Sequence, residues 1–380
     1  MSDIVVDDRK NTYLAKFEQD AVAAFRKNFR RPNILVCGYT GCGKSSLINA
    51  ILGDDVVPPE AIGSGVPKTM GFDRYPKVPS PTELVCVFDS KGMELGEEEE
   101  AFVETTRRFV KEKQSNPDID EHIHIVWYAI QGPGARVTDC DLRLIKTIFN
   151  PDEVIVVITK ADITRSSQQE AMKKRLVDFG VSPDRIVFTS DREGGSIGCS
   201  ELMRKTYEML PDAYQDAFMA KQEVDKKAKK LAVEGKDEKA KAIIATATVA
   251  ATAAAATPLP FSDVAIIVPV QSVMIASLAG LYGVSSEQIK AQVLPFLATL
   301  TGLFLTGSLI KFIPFLGSLA GGFMNGTVAA TITGGMGLYV QSLFKESALA
   351  KIENRPPPKM ELSREAFERF RKEYVKSMNS

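Results

Sequence analysis

The chain has 380 residues, enough for two or three domains, and sets 47 Lys and Arg against 48 Asp and Glu for a formal charge of −1 and a pI near 6.3. Such a balance provides no global basic field for nucleic acid. Five cysteines without paired spacing and two histidines, His122 and His124, form no zinc pattern and suit a reducing, cytoplasmic setting.

Residues 1–30 start acidic and polar, with no secretory signal evident. Leu14, Phe17, Ala21 and Phe25 then recur at helical spacing among charged residues. This predicts an amphipathic helix packed on the adjacent core or on the distal domain. Next comes an apolar run, Asn33–Cys37, read as a buried strand, and then Ser45–Leu52, read as a helix. Between them Gly38-Tyr39-Thr40-Gly41-Cys42-Gly43-Lys44-Ser45 fits G-x-x-x-x-G-K-[ST]. In that strand–loop–helix setting the glycines let backbone N–H groups turn around a polyphosphate. Gly38, Thr40, Gly41, Cys42, Gly43, Lys44, Ser45 and Ser46 are the candidate contacts. Lys44 reaches the outer phosphates, and the Ser45 hydroxyl ligates Mg²⁺. Cys42 lies beside N–H groups that lower a thiol pKa.

A second run, Leu84–Phe88, ends in Asp89-Ser90-Lys91-Gly92. There Asp89 can hold a Mg²⁺-bound water, and the Gly92 N–H can meet a terminal phosphate. The glutamates from Glu94 to Glu100 read as a solvated helix start. His122 and His124 fall in the strand-like run Ile123–Ile130 or beside it, and alternation predicts that they face outward. The run Val154–Ile158 leads into Thr159-Lys160-Ala161-Asp162, which fits [NT]-K-x-D. Asp162 can accept from the ring N–H and exocyclic amine that guanine offers together, and the Lys160 stem can lie along the base. The run Arg185–Phe188 ends in Thr189-Ser190-Asp191, placed to meet the guanine oxygen. Together these segments predict a site for GTP or GDP with Mg²⁺.

Through these four motifs residues 31–212 resemble the Era-like branch of the translation-factor-related P-loop GTPases. The resemblance implies an α/β domain, a mostly parallel sheet flanked by helices, with two switch segments. It places switch I within Val56–Tyr75, with Thr69 on Mg²⁺ and the γ-phosphate, and starts switch II at Asp89. Lys44, Thr69 and Gly92 would then serve catalysis. The position after Gly92 holds Met93, which cannot orient a water as glutamine does. Gly41 replaces the asparagine of potassium-activated relatives. Slow intrinsic turnover is therefore expected, accelerated by homodimerisation, by a partner or by a group of the chain itself, for which Arg136 is a candidate.

Past 212 the composition changes. Residues 213–241 are charged and read as a solvated helical linker with a Lys226–Lys230 cluster. From Ala242 to Phe344 only Asp263, Glu287, Lys290 and Lys311 are charged, which predicts an all-α apolar domain over 242–346. Breaks at Pro258–Pro260, Gly283–Ser286 and Pro314 divide it into about four helices. It resembles the apolar helical domain of uncharacterised function that follows Era-like domains in some bacterial GTPases, and its layout is similar to that of immunity-related GTPases. Val264–Val284 and Ala291–Ile310 have the length to span a bilayer, with a kink at Pro269. Small residues recur every four positions from Gly317 to Gly334, a pattern that suits close helix contact in a membrane or in a packed core. A membrane lipid or a protein partner is the expected target. In the tail, 347–380, Pro356–Pro358 precedes Leu362, Phe367, Phe370 and Tyr374, read as a short amphipathic helix that could return to the GTPase core.

Three functions remain open on sequence. The leading one is a slow GTP-hydrolysing switch that controls the apolar domain. The others are a GTP-binding scaffold that does not hydrolyse, and a nucleotide-gated, membrane-perturbing or channel-like protein.

Overall fold

The computed structural model describes residues 2–53, 56–58, 71–90, 92, 99–134, 136–149, 151–190, 197–255, 262–295, 326–359 and 364–378. They form two compact units, one of residues 29–226 and one of residues 1–28 with 227–380. Helix α1 (Ser2–Asn28) thus belongs with the distal residues and not with the sheet that follows it.

In the sheet unit, runs of branched residues without alternation become interior strands, as expected where both faces are covered. β1 (Asn33–Gly38) is buried throughout and leads through the glycine-rich loop into α2 (Lys44–Leu52). β2 (Phe72–Tyr75) pairs antiparallel with β3 (Cys86–Ser90) at the edge. Helix α3 (Glu99–Gln114), β4 (Ile125–Gln131), α4 (Asp139–Thr147), β5 (Val154–Thr159), α5 (Ser166–Asp178) and β6 (Ile186–Phe188) follow. The sheet order is β2-β3-β1-β4-β5-β6, with every pair except β2–β3 parallel. From β1 the chain goes to β2 and β3 on one side and then crosses to β4 on the other side of β1. A ligand crevice belongs at the carboxyl ends of the strands beside such a switch point. α6 (Cys199–Met209) and α7 (Asp212–Lys221) complete the unit, and α6 fixes β4 through a hydrogen bond from the Trp127 indole to Thr206 Oγ1 at 3.0 Å.

β4 starts two residues later than its apolar run suggests, and His124 does not face outward. It is buried just before the strand, where Nδ1 accepts the Asn33 N–H at 3.0 Å and Nε2 meets the Ile119 carbonyl at 3.1 Å. An imidazole that serves two backbone groups can be enclosed without loss, and alternation says nothing about that option.

The distal unit is helical. α8 (Lys226–Glu234), α9 (Asp237–Ala255) and α10 (Ser262–Tyr282) precede α11 (Ser286–Gln288), which continues as a π-turn through Val293. α12 (Gly326–Ile352) and α13 (Arg364–Met378) close the described chain. The charged stretch 213–241 is therefore three helical pieces instead of one linker helix, and Lys229 within it is buried. Pro269 lies inside α10 and does not end it. Phe17 and Ala21 of α1 join Ile244, Met274, Leu278, Met336 and Phe344 in one apolar core. α1 approaches α10 so closely that a Cβ on Gly280 would stand 2.4 Å from the carbonyl carbon of Ala24. The tail helix α13 packs on α12, within its own unit: the Tyr374 ring lies against Gly334, where an added Cβ would come within 2.3 Å of it. Asp237 ties three helices at one end of the core. It accepts from Lys345 at 2.6 Å, from the Tyr282 hydroxyl at 3.3 Å and from Gln341 at 3.4 Å. Among the described residues no helix is long and apolar enough to cross a membrane. Residues 296–325, which hold most of the second expected span and several of the small-residue positions, lie outside the described residues.

Candidate functional site

The glycine-rich loop follows the carboxyl end of β1. Gly38 pairs with Ala129 in register, and a Cβ there would sit 2.2 Å from the Ala129 carbonyl, so β1 can enter the loop only at glycine. Gly43 caps α2 in a left-handed conformation with no side-chain acceptor, which leaves the first-turn N–H groups for a ligand. Lys44 is buried, and its ammonium donates to the carbonyls of Gly38 and Tyr39, both at 3.1 Å. Thr40 is exposed at the loop tip, and Ser46 is half-buried in the first turn of α2.

Register places Val36 of β1 opposite Asp89 of β3. This brings together two of the three expected metal-site residues: Ser45 Oγ donates to Asp89 Oδ2 at 3.2 Å. Asp89 Oδ1 is buried and has no hydrogen-bond partner among the described residues. Burial pushes the Asp89 carboxyl up to about 6, against the pull of the Lys44 charge and the Ser45 hydrogen bond. A hydroxyl, a carboxylate with an orphaned oxygen and the adjacent loop form an all-oxygen set, which fits Mg²⁺ completed by water and phosphate. Ser45 and Asp89 would hold it. Among the described residues no three His, Cys, Asp or Glu gather into any other metal cluster.

Gly92, the last residue of D-x-x-G, lies against the loop as well. A Cβ there would fall 2.4 Å from the Thr40 Cα and 2.5 Å from its nitrogen, so the backbone can come this close only without a side chain.

The base-reading segment is fastened to the same loop. Thr159 Oγ1 donates to the Cys42 carbonyl at 2.6 Å, and Lys160, at φ +55°, donates to the Gly41 carbonyl at 2.8 Å. Asp162 follows, half-buried in a short 3₁₀ turn, Ala161–Ile163. The next loop is zipped to this one, because the Ala161 N–H donates to the Thr189 carbonyl at 3.0 Å and the Thr189 N–H to Ile158 at 2.8 Å. Ser190 bridges to Ile197, and its buried hydroxyl has no partner among the described residues.

Several expectations fall elsewhere. Thr69, Met93 and residues 94–98 lie outside the described residues, and so do 59–70 of the expected switch I, whose last part is β2. Arg136 is exposed on the loop after β4. The Cys42 thiol is not acidic: it is buried, and desolvation pushes its pKa up despite Lys44. Glu99 and Glu100 do start α3, but they are partnered. Glu100 accepts from Arg143 at 2.7 Å, and Glu99 accepts from the Tyr39 hydroxyl at 2.9 Å. Tyr39 was not legible as a functional residue because the motif leaves its position unspecified.

Sheet order, loop and convergent strand ends define a P-loop GTPase fold joined to a helical unit. Residues 219–371 match a family described as a domain of unknown function, DUF697. Septin-2 of Rattus norvegicus is 24% identical over 165 residues, covering 38% of this chain and 45% of the relative. Septin-2 of Mus musculus matches to the same extent. The chain thus spans less than half the length of the curated relatives it matches. Among solved structures, Era of Aquifex aeolicus bound to GDP and aluminium fluoride is 19% identical, with a TM-score of 0.33 over 48% of this chain and 57% of that one. Toc33 of Arabidopsis thaliana in complex with Mg²⁺ and GMPPNP is 17% identical, with a TM-score of 0.30 over 50% of this chain and 80% of that one.

Proposed function

We propose that the chain binds Mg²⁺·GTP, hydrolyses it slowly to GDP and phosphate, and uses the nucleotide state to switch the helical unit. One observation carries the reading. Ser45 and Asp89, far apart in sequence, meet beside Lys44 on a loop to which Thr159 and Lys160 are also hydrogen-bonded. Phosphate and base recognition are thereby held in one frame.

In this reading Lys44 exchanges its two loop carbonyls for phosphate oxygens and neutralises charge that develops on the transferring group. The uncapped N–H groups of α2 hold the inner phosphates, and the Gly92 N–H faces the terminal one. Mg²⁺, which Ser45 and Asp89 would hold, would supply further charge neutralisation. Asp162 accepts from guanine, and the Ser190 loop offers its N–H groups to the guanine oxygen. With Met93 next to Gly92, acceleration comes from self-association, from a partner or from Arg136. The helical unit is the output element and engages a protein or a lipid surface through residues 242–346.

The test is calorimetry of the full chain with GDP, a non-hydrolysable GTP analogue and the matching ATP analogue, followed by phosphate release. Tight guanine binding, a loss on adenine of roughly 100-fold or more (the limit for unpaired polar groups being about 10⁴–10⁵) and lost guanine preference in Asp162→Ala support the reading. Equal affinity for both purines, or heat from neither, removes it. Cosedimentation with anionic vesicles in both nucleotide states separates lipid from protein as the target.

A further inference from the structure

Tyr39 has no role in the site as built so far, yet the loop places its hydroxyl with care. It donates to Glu99 Oε1 at 2.9 Å, in the first turn of α3, and lies 3.1 Å from Thr138 Oγ1, the N-cap of α4. Thr138 is itself fixed: its N–H and hydroxyl reach Asp141 Oδ2 at 2.7 and 2.8 Å, and Asp141 N–H returns to Thr138 Oγ1 at 3.1 Å. Asp141 is fully buried and takes the Tyr128 hydroxyl on its other oxygen at 2.7 Å. With the Thr138 proton directed to Asp141, the Tyr39 proton is left for the Glu99 carboxylate. Burial pushes the phenol pKa upward, so it stays a donor in neutral solution. The Glu100–Arg143 pair beside it joins α3 to α4 again.

Neighbouring loop residues therefore grip both flanks of one stretch. Thr40 abuts Gly92, where the D-x-x-G segment ends, and Tyr39 holds Glu99, where α3 begins. Phosphates shared by a diphosphate and a triphosphate contact the loop in either case. In the nucleotide reading above only a terminal phosphate would reach Gly92, so a bond that fixes this side of the site changes the affinity for one nucleotide more than for the other. We propose that Tyr39 is a positioning residue: through Glu99 its hydroxyl holds the helix behind the D-x-x-G segment in the arrangement that takes a nucleoside triphosphate, and so favours triphosphate over diphosphate. The inference rests on the nucleotide reading above.

The experiment measures equilibrium affinity of the full chain for Mg²⁺·GDP and for a non-hydrolysable Mg²⁺·GTP analogue, in wild type, Tyr39→Phe, Glu99→Leu (which, unlike glutamine, leaves no acceptor for the hydroxyl) and the double variant. GDP affinity should stay within about twofold. Affinity for the triphosphate should fall about tenfold, the scale of one hydrogen bond to a charged group. The double variant should be no weaker than either single one, since both remove the same bond. A triphosphate-to-diphosphate ratio equal to that of wild type, an equal weakening of both nucleotides or additive losses would each overturn the role of Tyr39. A wild-type chain that binds neither nucleotide overturns the nucleotide reading itself, so the two failures are told apart.

Discussion

His124 ties the stability of the sheet unit to pH, and the effect can be worked out from its surroundings. The Asn33 N–H donates to Nδ1, so the enclosed ring is the neutral tautomer with its proton on Nε2, toward the Ile119 carbonyl. Burial lowers its pKa to about 4, although the Ile119 hydrogen bond and Asp120 pull the other way. The unfolded chain takes up a proton near pH 6.5 and the folded chain does so only near 4. Between those values the unfolded state holds more protons, and stability falls as the pH falls. One pKa step corresponds to about 1.4 kcal/mol, so the loss reaches about 2 kcal/mol at pH 5 and about 3 kcal/mol at pH 4. Trp127 is the single tryptophan and is fully buried in β4, so its fluorescence reports this unit alone. Urea titrations at pH 7, 6, 5 and 4 should show wild type losing this amount relative to His124→Gln, which can fill both hydrogen bonds without titrating. Parallel stability curves for the two proteins would refute the reasoning.

Three further outcomes follow from packing and hydrogen bonding. Phe17→Ala empties a fully buried position in the helical core and should cost about 3–5 kcal/mol, read as a lower melting transition by circular dichroism with the Trp127 signal unchanged. Gly280→Ala forces a methyl against the α1 backbone and should cost about 1–3 kcal/mol. Limited proteolysis should then cut α1 sooner than in wild type. Thr159→Val keeps the shape of the side chain but leaves the Cys42 carbonyl without its donor. A loss of about 1–3 kcal/mol is expected, seen as an earlier urea midpoint of the Trp127 signal together with weaker nucleotide binding.

The parts of the molecule legible in sequence are those written into adjacent residues. The apolar runs at β1, β3, β5 and β6 and the glycine-rich loop after β1 each carry their own local pattern, and the sheet orders them as the motifs require. What was not legible depends on distant partners. The periodicity of α1 announced a buried face but could not say whether α10 or the sheet would cover it. The same holds for α13, whose Tyr374 fills the space that Gly334 leaves empty. His124 looked like an exposed strand residue because alternation cannot register a ring bonded to the main chain of Asn33. The tie from Thr159 to Cys42 and the one from Tyr39 to Glu99 join segments that sequence spacing leaves unrelated.

The first helix is separated by the entire sheet unit from the helices that cover it. During synthesis α1 emerges early and then waits, its phenylalanines unsheltered, until α10 and α12 have been made. Early non-native docking in that interval is a hazard that a chaperone, or fast folding of the sheet unit, would have to contain. The same arrangement cautions anyone who trims the gene. A fragment cut at the boundaries of the DUF697 match, 219–371, begins with a trench along α10 where α1 should lie, and aggregation of such a piece would reflect the missing helix more than any property of the intact protein.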